Sequence, residues 1–216
     1  MRARFANRII IEIASALSNM LFTLAHRRAF RYAALLSLCF VASGSASAEP
    51  SDALDLLTQP GHVLLLRHAN APGVGDPTGM ALGECSTQRN LDDRGRAQAK
   101  GLGERLRATG VTVARVYTSQ WCRCQETARL LDVGAVEELP ALNSFFGQSE
   151  TKESRVQALR EFIDQLPRDG RAIVFVTHQM TITALSGYFP ASGSGLIVKL
   201  RDGGGFEQVA ELTTLE

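Results

Sequence analysis

The hydrophobic pattern is organised by three apolar runs that each end abruptly in polar side chains. His62-Val63-Leu64-Leu65-Leu66 leads straight into Arg67-His68, residues 111–118 lead into Ser119 and then Arg123, and Ala172-Ile173-Val174-Phe175-Val176-Thr177 leads into His178. Short continuous runs of leucine and β-branched residues predict strands buried on both faces, as in a parallel sheet. Between them the period changes. From Asp92 to Thr109, Ala97, Ala99, Leu102 and Leu106 recur among arginines, Lys100 and Glu104, with Gly110 after the last turn, which predicts a helix. Further helices are expected at Ser51–Leu57, from Cys124 to Leu131 and from about Lys152 to Leu166, with a short strand near Val136 to Leu139. Two alternating segments, Gly195 to Leu200 and Phe206 to Leu212, flank the turn Asp202-Gly203-Gly204-Gly205 and predict an antiparallel hairpin. Strands alternating with helices imply an α/β fold: a three-layer α/β/α sandwich with a mainly parallel central sheet and a C-terminal antiparallel edge hairpin.

The N-terminal stretch breaks this pattern. Arg27, Arg28 and Arg31 precede the apolar run 33–41, and small residues follow to Ala46-Ser47-Ala48. A basic n-region, an apolar h-region and an A-x-A site define a signal peptide, so 1–48 is expected to be a leader and 49–216 one domain, periplasmic or secreted. The run is too short to span a bilayer comfortably, so no membrane span is expected in the mature form, an uncleaved membrane anchor being the alternative. Residues 1–48 carry six of the 23 basic residues and one of the 22 acidic ones, leaving 17 against 21. A slightly acidic domain offers no field for nucleic acid. Beyond the leader three cysteines remain, so at most one intrachain bridge forms, Cys85 with Cys122 or with Cys124. No metal-ligand spacing is present, and neither a metal nor another cofactor is expected.

Candidate chemistry lies at the strand ends. If the three strands are neighbours and parallel, Arg67, His68, Arg123 and His178 meet at one sheet edge, beside helix N-termini that add partial positive charge. Two guanidiniums and two imidazoles suit a phosphate. Asn70 and Ser119, at the same ends, are candidate substrate-binding residues. Trp121 either walls that pocket or packs beneath it, and His62 reads as a solvated residue at a strand entry.

These segments resemble the histidine phosphatase superfamily, which has a phosphoglycerate mutase-like fold. The Arg-His pair after a strand appears as Leu64-Leu65-Leu66-Arg67-His68. The helix entry appears as Leu91 through Gly95 to Gln98-Ala99, the Ser-x-x-x-Arg segment as Ser119 to Arg123 with Thr127-Ala128, and the second histidine as Val176-Thr177-His178. The resemblance implies a metal-independent phosphomonoester hydrolase acting on a small phosphorylated substrate, a sugar phosphate or similar. In it His68 forms a phosphohistidine, Arg67 and Arg123 hold the phosphate, and His178 stabilises charge in the transition state. Exported bacterial phosphatases acting on lipopolysaccharide-core heptose phosphate, and small phosphohistidine phosphatases, are the similar branches. Ser144 and Gln179 stand where many members carry an acidic proton donor. That leaves Asp76 as the candidate general acid, with Glu150 and Glu153 as alternatives. A phosphohistidine-protein phosphatase and a phosphate-binding protein without turnover are the competing functions, and the oligomeric state is left open.

Overall fold

The computed structural model describes residues 52–213, and the expected leader in 1–48 lies outside them. Strands β1 (His62–Arg67), β2 (Val113–Thr118), β3 (Val136–Glu138), β4 (Ala172–Thr177), β5 (Gly195–Leu200) and β6 (Phe206–Leu212) form one sheet in the order β3-β2-β4-β1-β5-β6. β3, β2, β4 and β1 are parallel, and β5 and β6 are antiparallel at one edge. Helices α1 (Asp93–Ala108), α2 (Cys122–Leu131), α3 (Lys152–Asp164) and α4 (Gln179–Ser186) connect the strands, and a 3-10 turn at Ala53–Thr58 precedes β1. The three-layer expectation holds.

Strand alternation distributes the core. Leu64 and Leu66 of β1 pack with Leu102 and Leu106 of α1 and Leu131 of α2. Val63 and Leu65 face the other way, onto Leu159 and Ile163 of α3 and Ile182 of α4. Each central strand therefore buries both faces, which is why its sequence is a run and not an alternation. Burying one of these leucines contributes about 1.5–3 kcal/mol. His62 is buried, contrary to the solvated reading, because its Nδ1 bonds the carbonyls of Gln59 and Pro60 at 3.2 Å each as the turn closes.

Register places the polar ends together. Arg67 pairs with Thr177 and Thr118 with Val176, so β1, β2 and β4 end nearly level. The ladder continues one step beyond each strand, through His68 N–H to Thr177 O at 2.9 Å and Ser119 N–H to Val176 O at 3.0 Å. Asp92 caps α1 by accepting from Gly95 N–H at 2.7 Å. Gly95 sits so close to the chain leaving His68 that a Cβ there would overlap the carbonyl oxygen of Asn70.

Candidate active site

A cavity of about 460 Å³ opens at the level strand ends, and its walls include Arg67, His68, Asp76, Arg123 and His178. His68 is 2 % exposed. Its Nδ1 lies 2.8 Å from the carbonyl oxygen of Ala69. A carbonyl only accepts, so Nδ1 carries the proton and Nε2 keeps its lone pair. Burial, with the Arg123 charge adding to it, lowers the His68 pKa to about 3. The imidazole is therefore neutral at ordinary pH, the form a nucleophile needs.

His178 lies beside it, with ring centroids 5.6 Å apart. It is buried and held well below the ordinary histidine pKa by desolvation, with His68 and Arg123 contributing. Behind it a chain of bonds fixes the ring. Ser119 Oγ is 2.9 Å from His178 Nε2 and donates to Asn143 Oδ1 at 3.2 Å, so Nε2 gives its proton to Ser119. Asn143 Oδ1 also accepts from Gln120 N–H at 2.9 Å. Ser119 thus does not line the cavity, contrary to the substrate-binding expectation, because its hydroxyl is engaged behind the second histidine.

Asn70 is likewise corrected. Its Nδ2 donates to Asp92 Oδ2 at 2.8 Å and its backbone N–H to Gln98 Oε1 at 3.0 Å, which ties it to the start of α1 and keeps it out of the cavity lining. Arg89 is a cavity residue that the sequence reading missed. Its side chain reaches back to the carbonyl oxygens of Gly75, at 2.7 Å, and Ala71. The available signal was its place two residues before Leu91, at the entry to α1. Three guanidiniums therefore face one cavity. Arg67 donates to Pro190 O at 3.0 Å, while Nε of Arg67 and of Arg123 are buried without a hydrogen-bond partner.

Asp76 does line the cavity, but as a counter-ion. Arg123 donates to it through both terminal nitrogens at 2.7 and 3.2 Å, Trp121 Nε1 at 3.0 Å and Arg89 N–H at 3.1 Å. Burial alone would raise its pKa; the Arg123 bonds and charge, with Trp121 and Arg89, outweigh that and lower it. In this arrangement Asp76 is a carboxylate without a proton to give, which counts against the simple donor role. Trp121 walls the cavity and packs edge-on to His178, with ring centroids 5.3 Å apart. Ser144 and Gln179 occupy the wall, whereas Glu150 and Glu153 are absent from it and exposed.

A disulfide joins Cys85 to Cys122, the first residue of α2 and the neighbour of Arg123. Cys124 is free and buried, with its thiol pushed up to about 12 by desolvation. Among the described residues no group of three or more His, Cys, Asp or Glu could hold a metal ion, and no helix is long and apolar enough to cross a membrane.

Residues 63–153 match the family model of the histidine phosphatase superfamily (branch 1). Serine/threonine-protein phosphatase Pgam5, mitochondrial, of Drosophila grimshawi is 39% identical over 70 residues, and that of Drosophila mojavensis 36% over 70; each alignment covers 32% of this chain and 22% of the relative. The chain thus spans about a fifth of the length of these curated relatives. Among solved structures, that of the open reading frame Rv3214 of Mycobacterium tuberculosis has a TM-score of 0.52 at 19% identity, over 71% of this chain and 97% of that one. A phosphoserine phosphatase of Entamoeba histolytica, solved with 3-phosphoglyceric acid, has a TM-score of 0.52 at 13% identity, over 71% and 97%. Residues 63–153 thus resemble the histidine phosphatase superfamily in sequence, and the described domain shares the fold of these solved structures.

Proposed function

We propose that the domain hydrolyses small phosphomonoesters through a phosphohistidine on His68. The observation that carries this is one cavity holding a neutral imidazole, its Nδ1–H committed to Ala69 O, together with Arg67, Arg89, Arg123 and His178. His68 Nε2 attacks phosphorus as the ester P–O bond breaks, and the leaving oxygen takes a proton. Water then attacks the phosphoryl group, passing a proton back to the carboxylate that protonated the leaving oxygen; the N–P bond breaks, and inorganic phosphate leaves a neutral His68. Arg67 and Arg89 face the space where negative charge spreads over the phosphoryl oxygens, and Arg123 joins them once phosphate has displaced Asp76. His178, neutral in the free protein, takes up a proton as the phosphate dianion arrives and donates to it.

Asp76 enters this scheme by exchange. Substrate phosphate competes for Arg123, and a carboxylate released from Arg123 beside a phosphate gains a raised pKa and can carry a proton to the leaving oxygen. Export to an oxidising compartment belongs to the same reading. What supports it is the n-region, h-region and A-x-A order in 27–48, and the Cys85–Cys122 disulfide.

The test is to trap ³²P on the protein during turnover in an alkaline denaturing quench, because the N–P bond hydrolyses in acid. Label on the wild type and none on His68→Ala is expected, with a trace of turnover surviving in His178→Ala. Phosphate binding without any covalent label would instead make the protein a binder.

A further inference from the structure

Among the described residues, seven large apolar side chains are exposed. Three of them, Val74 at 89 %, Phe146 at 58 % and Met180 at 38 %, converge on the wall of the cavity that holds His68. They come from three separate segments: the loop after β1, the stretch that follows the 3-10 turn Pro140–Leu142, and the first turn of α4. Side chains this exposed add little to folding, and an apolar cluster at a pocket marks a ligand face. Phe146 is seated rather than dangling: a Cβ built on Gly75 would lie 3.4 Å from its Cε1, so the ring rests over a glycine that leaves it room.

Three polar side chains of the same wall are already engaged. Gln179 Nε2 donates to Pro190 O at 3.0 Å, Ser144 Oγ accepts from Phe146 N–H at 3.2 Å, and Asp76 is bound to Arg123. A sugar would bring several hydroxyls into this space, and each hydroxyl buried without a partner is costly. An aromatic group requires none. The cavity volume of about 460 Å³ also far exceeds what a phosphate ion fills.

We infer that the cavity mouth selects phosphomonoesters of aromatic or branched apolar alcohols over sugar phosphates, with Phe146 and Val74 as specificity-determining residues. This rests on the phosphatase reading above. A tenfold preference is equivalent to about 1.4 kcal/mol, which removal of roughly 55 Å² of apolar surface from water supplies at about 25 cal/mol/Å².

The test separates binding from leaving-group chemistry by using non-hydrolysable phosphonates as competitive inhibitors of nitrophenyl phosphate hydrolysis. In the wild type, Ki should fall tenfold or more from methylphosphonate to naphthylmethylphosphonate. Phe146→Ser and Val74→Ser, both at exposed positions that folding tolerates, should each cut that ratio at least threefold while leaving methylphosphonate unchanged. Benzyl phosphate should also exceed glucose 6-phosphate in kcat/KM by tenfold or more. Equal Ki values for the two phosphonates, or a full wild-type ratio in both variants, overturns the inference and leaves the phosphatase reading standing. Absence of turnover, with no binding of inorganic phosphate by calorimetry, overturns the phosphatase reading, and this inference with it.

Discussion

Replacing Asp76 by Asn isolates the competition between a built-in anion and a substrate anion. The carboxylate accepts four hydrogen bonds, two of them from an arginine whose side chain is 4 % exposed, while its own is 14 % exposed. Breaking a buried ion pair by removing one partner costs about 3–5 kcal/mol. Here the amide keeps one acceptor and the site is partly open, so a loss of about 1–3 kcal/mol is expected, or a Tm lower by roughly 2–12 °C at about 2–4 °C per kcal/mol. Phosphate affinity should move the opposite way. In the wild type, phosphate must displace Asp76 from Arg123; in Asp76→Asn it meets a positive cavity with no resident charge. Titration calorimetry at pH 7.5 should show Kd for inorganic phosphate lowered tenfold or more, a gain of about 1.4 kcal/mol. The sign is safe at that pH. A carboxyl whose folded pKa lies below its ordinary 3.8 contributes stability that is present above that value and lost only as pH falls through the folded one. Kinetics complete the assay: if displaced Asp76 carries the proton, the variant slows alkyl phosphates by about 10²-fold and spares nitrophenyl phosphate, which leaves unaided. An unchanged or weaker phosphate Kd would refute the exchange, and equal effects on both substrates would refute the proton role.

The Cys85–Cys122 bridge closes a sequence separation of 37 residues, for which loop entropy predicts about 4 kcal/mol. Cys85→Ser/Cys122→Ser should therefore lower Tm by roughly 8–16 °C, and identical melting with and without reductant in the wild type would contradict it. Arg123→Lys keeps the charge but not the planar fork, so kcat/KM should fall about tenfold or more; wild-type kinetics would place Arg123 outside the reaction. His68 is held neutral to about pH 3, whereas an unfolded histidine protonates near 6.5. Stability should thus decline as pH falls below 6.5. His68→Asn should remove about 2 kcal/mol of the loss between pH 7.5 and 5, read from urea midpoints; an equal pH dependence in both proteins would mean that His68 is charged when folded.

Local chemistry made much of this protein legible from its chain. The runs 62–66 and 172–177 read as strands buried on both faces, because a central parallel strand lies between two helical layers and needs apolar side chains in each direction. Those runs stop where polar residues begin, which puts Arg67, His68 and His178 at strand ends; that the ends lie side by side follows from the parallel pairing of β1 and β4. What depended on tertiary structure was every choice between partners distant in sequence. Cys122 and Cys124 lie about 200° apart around a helix, so only one of them can face the loop carrying Cys85, but the sequence does not say which side of α2 that loop crosses. Packing turned Cys124 into the core and left Cys122 to the bridge. Asn70 and Ser119 stand at the strand ends as expected, yet the cap of α1 and the His178 ring claim their side chains. Arg89 and Asp76 reach the cavity from a loop whose path follows no periodicity. Their roles were decided by where that loop folds back on α2, bringing a carboxylate onto Arg123 and a third guanidinium beside it.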